Sequence, residues 1–269
     1  MQAVLEALAG LPLIHVASRD ASVQELSAAH TEGYPARVKE RIEAGEDHLD
    51  GDTAVCPQSY AAAVRAAGSA LALGEALLAG EIEAGFACIR PPGHHACRHR
   101  AMGFCLFNNI AVLARFLNAR GKSVCIVDWD VHHGNGTQDI FRDDAAVGYC
   151  SLHQSPLYPG TGAASETGAG NILNLPLRSG MGDREYLEAF DQRVVPWVCQ
   201  RDPDVLLISA GFDAHRDDPL AGMRLTSAAF GKFTRRLLGR PILSLLEGGY
   251  DLEGLAGGVH AHVGALLDA

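Results

Sequence analysis

The sequence predicts a single α/β domain in which a mainly parallel sheet is flanked by helices on both faces. Short apolar runs rich in β-branched residues alternate with longer stretches of helical period, the order that produces parallel sheets. The short runs are hydrophobic throughout rather than at every second position, which indicates strands covered on both sides. Because no linker, repeat or low-complexity tract interrupts this pattern, residues 1–269 are expected to fold as one domain.

The predicted elements follow one another along the chain. Apolar runs that end in glycine or a polar cluster predict strands at 86–90, 123–130, 147–153, 204–211 and 242–249. Helical periodicity predicts helices at 58–79, 104–119, 184–199, 226–238 and 251–267. The segments 43–52 and 160–170, which are acidic or rich in small residues, are predicted to be loops.

Composition restricts the class of protein. The 48% hydrophobic and 20% charged residues are ordinary for a globular domain with a sizeable core. The formal charge of −10 argues against a nucleic-acid partner, because phosphates would be repelled. The seven cysteines show no paired spacing, the N-terminus lacks a signal-peptide pattern, and we expect no segment apolar and long enough to cross a membrane. A cytoplasmic protein without a membrane partner is therefore expected.

Polar residues follow four of the predicted strands. FACIR leads into PPGHH, SVCIV into DWDVHHGNG, LLISAG into FDAHRDDP, and LSLLEGG into Tyr250 and Asp251. Binding sites of parallel α/β sheets form beyond the carboxyl ends of the strands. We therefore expect carboxylates, imidazoles and a phenol to converge at one edge of the sheet.

Three of these residues predict a metal site. Asp130 and His132 are two positions apart at the end of an extended segment, so both side chains point the same way and can reach one ion. Asp213, at another strand exit, is the natural third ligand. Two oxygens and one nitrogen, with a position left for water, describe a catalytic rather than a structural site. The Asp-x-His pair alone would indicate only a solvated turn, and convergence with the other strand exits favours the metal.

Two histidines and a tyrosine predict acid–base chemistry beside that metal. A metal-activated water needs a base to accept its proton, and His94 and His95 follow a Pro-Pro-Gly turn at a strand exit. Tyr250 follows two glycines, which allow a tight turn and a close approach of the phenol to a developing oxyanion. Taken singly, the histidines would be read as a hydrogen-bonded loop pair and the tyrosine as a core residue.

Several motifs resemble those of the zinc-dependent histone deacetylase superfamily, which includes acetylpolyamine amidohydrolases and acetoin-utilisation proteins. They are RPPGHHA, GFCLFNN, DWDVHHGNGTQDIF, SLHQSPLYPGTG, AGFDAHRDDPLAGMRLT and LEGGYDL, in family order. With the weaker AHTEGY they span residues 29 to 252. Some branches carry an aspartate where this chain has Asn135, so the asparagine looks similar to class II-like and bacterial members. The resemblance implies an arginase-like α/β fold and hydrolysis of an N-acetylated amine.

Carried over by position, the resemblance implies roles for individual residues. The zinc ligands would be Asp130, His132 and Asp213. The reacting groups would be the general base His95, its electrostatic partner His94, Asp128 orienting His94, Asn135 facing His95, and Tyr250 polarising the carbonyl. The substrate channel would be lined by Gly103, Phe104 and Tyr158, with Leu220 at its mouth and Asp52 at the rim.

The same resemblance implies two structural sites for K⁺ or Na⁺. The first would use Asp128, Ser151 and the backbone oxygens of Asp130, His132 and Leu152. The second, looser site would involve Phe141, Asp144 and Val147.

The start of the chain departs from the family pattern. Family members usually begin with a segment that ends in a His-Pro-Glu-Arg-Pro-Glu-like run and forms part of the channel wall, whereas this sequence starts after it. We expect either a shortened sequence or a more open pocket, with zinc binding retained in both cases.

The expected function is that of a mononuclear zinc amidohydrolase. The metal and His95 would activate water to attack an acetamide carbonyl held by the metal and Tyr250. Acetyl-lysine in a protein, an acetylpolyamine or another small N-acyl amine would suit the channel, and iron(II) would suit the same ligands as zinc.

Two alternatives stand beside this function. A non-catalytic member of the fold would bind zinc and acyl amines or partners without turnover, although the intact histidine pair and Tyr250 speak against it. A dinuclear ureohydrolase of the arginase type would need further carboxylates, but Gly134 and Gly211 stand at those positions.

Overall fold

A six-stranded sheet forms the centre of the molecule. The computed structural model describes residues 1–268. The strands are β1 (Ala84–Ala87), β2 (Val124–Asp128), β3 (Val147–Gln154), β4 (Ile172–Leu177), β5 (Val205–Ala210) and β6 (Ile242–Leu246). Their order across the sheet is β1-β6-β5-β2-β3-β4, and every neighbouring pair is parallel. The predicted α/β class is confirmed, with a sheet that is entirely parallel.

Ten α-helices accompany the strands within the described residues. The first five are α1 (Gln2–Leu8), α2 (Val23–Ser27), α3 (Tyr34–Glu43), α4 (Ser59–Leu78) and α5 (Asn109–Asn118). The others are α6 (Asn135–Phe141), α7 (Asp183–Ala189), α8 (Val195–Arg201), α9 (Ser227–Leu237) and α10 (Leu252–Leu266). A π-helical turn, Phe190–Val194, joins α7 to α8.

Alternate side chains of the central strands enter two separate hydrophobic cores. Ile126 of β2 and Leu207 of β5 pack with residues of α3, α4 and α5 on one face. Val127 and Ile208, the next residues along the same strands, pack with residues of α7, α8, α9 and α10 on the other face. Since both faces are covered, apolar residues are favoured at successive positions of these strands, which explains their nearly continuous hydrophobic pattern.

Helix α4 differs from one expectation. It is 20 residues long and mostly apolar, so by length and composition it could cross a membrane. In the fold, more than half of its most apolar part is buried, and the helix packs against α5 and β1. A core helix satisfies the same criterion, and burial of residues such as Ala67, Ala70 and Leu71 explains the composition. The expectation that no segment would reach this length was wrong.

Several element boundaries also differ from the predicted ones. Strand β4 was missed because Pro176 interrupts its pattern, and proline is tolerated there because β4 lies at the edge of the sheet. The helix predicted from residue 104 begins only at Asn109, because the Asn108 side chain accepts a hydrogen bond from the Ala111 N–H (3.0 Å) and caps it. The stretch predicted as one helix at 184–199 is divided by the π-helical turn.

Candidate active site

The carboxyl ends of β1, β6, β5 and β2 bring a cluster of buried polar side chains together. Asp130 and His132 follow β2, and Asp213 follows β5, its neighbour in the sheet. One ligand atom from each of the three residues lies within 4.8 Å of the other two. His132 Nδ1 is 3.1 Å from both Asp130 Oδ1 and Asp213 Oδ2. Ligand atoms on a tetrahedral zinc ion are about 3.3 Å apart, so the three residues fit such an ion.

Backbone N–H groups orient the two carboxylates of this cluster. Asp130 Oδ2 accepts a hydrogen bond from the Gly248 N–H (2.7 Å), and Asp213 Oδ1 accepts one from the Val131 N–H (2.8 Å). Each carboxylate therefore keeps its second oxygen directed at His132. Outer partners of this kind fix the direction of metal ligands and tune their basicity.

The two carboxylates of the cluster favour the protonated form of His132. Burial opposes the charged imidazole, but hydrogen bonds to Asp130 and Asp213 outweigh it and raise the pKa of His132 to about 11. Burial and the neighbouring Asp130 raise the pKa of Asp213 to about 7. Since a metal ion needs the unprotonated imidazole as its ligand, occupation of the cluster would release that proton.

The histidine pair stands beside this cluster, and its two members have different partners. His94 Nδ1 donates to Asp128 Oδ2 (3.0 Å), whereas His95 Nδ1 donates to the side-chain oxygen of Asn135 (2.8 Å). Because the Asn135 oxygen can only accept, the His95 proton resides on Nδ1, and Nε2 is left with a free lone pair. The two rings are 4.1 Å apart between centroids.

The surroundings give the two imidazoles opposite charge states. Burial disfavours the charged form of His94, but Asp128, Asp130 and Glu247 outweigh it and raise its pKa to about 10. Burial and the positive charge of His94 lower the pKa of His95 well below its usual range. His94 is therefore a fixed cation at neutral pH, and His95 is a neutral imidazole able to accept a proton.

Tyr250 faces the same space from the β6–α10 loop. It lines the pocket that also contains His95, Asp130 and His132. Burial, with the nearby charges of Asp213 and Asp130, raises the pKa of the phenol far above its usual range. The hydroxyl therefore keeps its proton and can donate it in a hydrogen bond.

The pocket above the cluster has a volume of about 260 Å³. All five residues that sequence analysis assigned to the channel line it, namely Asp52, Gly103, Phe104, Tyr158 and Leu220. Three of them are large hydrophobic residues that remain partly exposed at the opening: Phe104 (43%), Tyr158 (38%) and Leu220 (45%). Pro92, Leu157 and Gly248 also line the pocket and were not predicted. The role of the five predicted channel residues as substrate contacts stays a prediction.

The turn that carries Phe104 is held by the predicted rim aspartate. Gly103 has φ of 57°, and a Cβ at this position would lie 2.4 Å from the His95 ring, so only glycine fits. Phe104 also has a positive φ (66°), which is uncommon for a residue with a side chain. The Gly103 N–H donates to Asp52 Oδ1 (2.9 Å), and the Phe104 N–H donates to Thr53 Oγ1 (3.2 Å). Asp52 thus stabilises the channel wall.

Two residues of the first predicted cation site lie side by side in the sheet. Asp128 and Ser151 are paired in the β2–β3 register, Leu152 follows Ser151, and Asp130 and His132 lie two and four residues after Asp128. His153 Nε2 donates to the Gly162 carbonyl (3.0 Å), so its Nδ1 accepts from the Ser151 hydroxyl (2.9 Å). The lone pairs of the Ser151 oxygen remain free, and this donor set fits a hard cation such as K⁺ or Na⁺.

The second predicted cation site does not fit a cation in the same way. The carbonyl oxygens of Phe141, Asp144 and Val147 all accept hydrogen bonds from one nitrogen, Asn171 Nδ2, at 2.8, 3.0 and 2.9 Å. The Asp144 carboxylate forms a salt bridge with Arg115. The donors expected to bind an ion are therefore satisfied within the chain.

The geometry also leaves no room for a dinuclear arginase-type centre. A Cβ at Gly134 would lie 2.2 Å from Asp128 Oδ2, and a Cβ at Gly211 would lie 2.2 Å from Asp130 Oδ2. Neither position can carry the extra carboxylate that a second ion requires. Within residues 1–268, the Asp130–His132–Asp213 group is the one cluster of this kind.

Sequence analysis missed two buried carboxylates that support the site. Glu247 Oε2 accepts hydrogen bonds from the backbone N–H groups of Gly93 (2.7 Å) and His94 (3.2 Å), which fixes the turn before the histidine pair. Burial raises the pKa of Glu247 to about 7. Asp218 accepts from the Tyr250 N–H (2.7 Å). Both lie inside quoted motifs, but their partners are distant in sequence, so no local pattern identifies them.

Comparison with known proteins shows the family. The histone deacetylase domain family matches residues 1–266. An uncharacterized protein of Synechocystis sp. is 46% identical over 233 residues, which cover 84% of this chain and 76% of that protein. Histone deacetylase 15 of Arabidopsis thaliana is 42% identical over 262 residues, which cover 93% of this chain and 48% of the relative. The chain thus spans about half of that relative.

The solved structures agree with this assignment. The crystal structure of the HDA15 HD domain matches with a TM-score of 0.96 at 39% sequence identity, and the match covers 100% of this chain and 83% of that one. Both the family match and the similar fold extend over nearly the whole sequence. The chain therefore belongs to the histone deacetylase family.

Proposed function

We propose that this protein is a zinc-dependent amidohydrolase that removes an acetyl or related acyl group from an N-acylated amine. One observation carries the proposal: a buried cluster of two carboxylates and one imidazole opens into the same pocket as a neutral histidine and a protonated phenol. Acyl transfer to water needs a Lewis acid, a base and an oxyanion donor, and these residues are suited to the three roles.

Asp130, His132 and Asp213 would hold the metal ion. When bound, the ion would supply Lewis-acid polarisation and a lowered pKa for water. Zinc(II) and iron(II) both accept this set of oxygen and nitrogen ligands. The Gly248 and Val131 N–H groups, which hold the two carboxylates, would keep the ligands oriented without further rearrangement.

The remaining groups divide the proton transfers between them. His95 Nε2 would accept the proton of the attacking water, because its Nδ1 proton is directed at Asn135 and the ring is neutral. His94 would stay protonated against Asp128 and stabilise negative charge on the tetrahedral intermediate. The Tyr250 hydroxyl would donate to the carbonyl oxygen as it becomes an oxyanion. Collapse of the intermediate then requires the proton on His95 to pass to the leaving amine.

The walls of the pocket indicate the class of substrate. A 260 Å³ space lined at its mouth by Phe104, Tyr158 and Leu220 suits a linear aliphatic arm that ends in a small amide. Acetyl-lysine in a protein and an acetylpolyamine both have this shape, and both remain candidates. We also propose a cytoplasmic location, consistent with seven cysteines that are all unpaired.

The test is turnover of an acetylpolyamine and an acetyl-lysine peptide by zinc-loaded protein, with a chelator control. We expect chelation to abolish activity and His95→Ala to reduce kcat by about 10²-fold or more. Tyr250→Phe should reduce kcat by roughly 10²-fold with little change in stability, since only the oxyanion donor is lost. Absence of turnover on both substrates, with zinc bound, would support the non-catalytic alternative instead.

A further inference from the structure

A single buried carboxylate, that of Asp218, holds two separate parts of the pocket. Asp218 is 6% exposed and lies in the loop after β5. Its Oδ2 accepts hydrogen bonds from the N–H groups of Tyr250 (2.7 Å) and Asp251 (3.3 Å), and its Oδ1 accepts one from the Leu220 N–H (3.0 Å). Charged acceptors make stronger bonds to backbone N–H groups than neutral ones do.

The loop that carries Tyr250 needs such an anchor because glycines precede it. A Cβ at Gly248 would lie 2.1 Å from Asp213 Oδ2, and Gly249 has φ of 134°, a conformation that other residues rarely adopt. These glycines lack side chains that could fix the loop by packing. The loop is held instead at both ends, by Asp130 at the Gly248 N–H and by Asp218 at the Tyr250 N–H.

The same carboxylate links the inner and outer parts of the pocket. Tyr250 and Leu220 both line the pocket. They belong to different loops, and both loops donate backbone hydrogen bonds to Asp218. We propose that Asp218 is a positioning residue that fixes the Tyr250 phenol over the substrate carbonyl and sets the rim residue Leu220 relative to it. This inference rests on the proposed function, in which the phenol is the oxyanion donor.

The isosteric variant Asp218→Asn tests this role. An asparagine keeps one acceptor oxygen, turns an NH₂ group toward the N–H donors on its other side and lacks the negative charge that strengthens these bonds. The anchor of the Tyr250 loop is therefore weakened in either orientation of the amide. Displacement of a catalytic group by about 1 Å can cost 10²-fold in rate. We expect Asp218→Asn to lower kcat about ten-fold or more and to change KM by less than about three-fold.

A double-mutant cycle with Tyr250→Phe separates positioning from general destabilisation. If Asp218 acts through the phenol, adding Asp218→Asn to the Tyr250→Phe protein should lower kcat by less than about two-fold, because the group being positioned is already absent. Asp217→Asn is the matched control, since this neighbouring carboxylate is 61% exposed. The control should keep kcat within about two-fold of the unmodified protein.

The cycle distinguishes failure of this inference from failure of the proposed function. Unchanged kcat in Tyr250→Phe would refute the phenol's role, and with it the function that the positioning serves. A different result would overturn the positioning role alone. In that result, Tyr250→Phe lowers kcat, and Asp218→Asn lowers kcat by the same factor in the Tyr250→Phe protein as in the unmodified protein. If Asp218→Asn does not fold, Asp218→Glu, which keeps both acceptor oxygens on a longer side chain, goes through the same cycle with the same outcomes.

Discussion

At the scale of single residues, one side-chain amide takes the place expected for a cation. Asn171 Nδ2 lies 2.8 to 3.0 Å from the carbonyl oxygens of Phe141, Asp144 and Val147. The orientation of the amide is fixed, because Asn171 Oδ1 accepts from the Ala169 N–H (3.0 Å) and a flipped amide would direct oxygen at oxygen. The group is fully buried and adds a donor to all three carbonyl oxygens, two of which also accept a backbone bond: that of Phe141 from the Asp144 N–H (3.0 Å) and that of Asp144 from the Val147 N–H (3.4 Å).

Removal of this amide should create a cation site. Asn171→Ala removes the buried donor that the three carbonyl oxygens share, and the loss of such a donor costs roughly 1–3 kcal/mol. Since K⁺ coordinates such oxygens, we expect part of the lost free energy of unfolding to return in KCl but not in choline chloride of equal ionic strength. The measurement is urea unfolding in both salts.

Asn174→Ala provides the control for that experiment. Asn174 is also a buried amide, but its Nδ2 donates to Gln138, Ala163 and Glu166 rather than to the three carbonyl oxygens. This variant should be destabilised without gaining a response to K⁺. If the free energy of unfolding of Asn171→Ala depends on K⁺ no more than that of the unmodified protein, the inference that the Asn171 amide occupies the place of a cation is wrong.

At the scale of elements, the site depends on a close approach of the loops that follow three neighbouring strands. This approach is possible because a glycine, which has no side chain, lies at the point of contact. The loop after β6 passes so close to the loops after β2 and β5 that Gly248 borders both metal-ligand carboxylates. A Cβ there would lie 2.1 Å from Asp213 Oδ2 and 2.5 Å from Asp130 Oδ2. The position therefore tolerates only glycine if the cluster is to keep its geometry.

Gly248→Ala should weaken metal binding more than it weakens the fold. The added methyl group would displace both carboxylates, and loss of ligand orientation typically costs 10- to 100-fold in metal affinity. The measurement is zinc affinity by competition with a chromogenic chelator. Gly264→Ala in α10 is the control, because a Cβ there meets nothing within 4 Å and alanine favours a helix. Equal zinc affinities in the two variants would refute this argument.

The sequence predicted site residues only where secondary structure alone determines their position. Asp130 and His132 were predictable because side chains two residues apart in an extended segment point the same way. Asp213 was predictable because adjacent parallel strands end at the same edge of the sheet. The partners of Asp218 and Glu247 were not, since their hydrogen bonds connect residues 32 and 154 positions apart. The late start of α5 was missed because side-chain periodicity does not report the backbone turn at Gly103 and Phe104.

At the scale of the whole molecule, four buried histidines outside the metal cluster link folding to pH. Burial is the largest influence on each, and it lowers the pKa to about 4 for His30 and His153 and to about 3 for His133 and His262. An unfolded histidine has a pKa near 6.5, so below that pH the unfolded chain binds protons that the folded protein does not. The buried acids Asp213 and Glu247 have raised pKa values and act in the opposite direction.

The free energy of unfolding should therefore fall as the pH is lowered from about 6.5 toward 4, with each such histidine contributing up to about 1.4 kcal/mol per pH unit. The best single test is His262, whose ring nitrogens lie 2.7 Å from Thr234 Oγ1 and 2.8 Å from Ser244 Oγ and which does not line the pocket. His262→Asn should be less stable at pH 7, but its free energy of unfolding should fall less steeply as the pH is lowered. The difference in slope should be that of about one bound proton, at most about 1.4 kcal/mol per pH unit. Urea unfolding at half-unit pH intervals measures both slopes, and parallel slopes would mean that His262 is not held neutral by the fold.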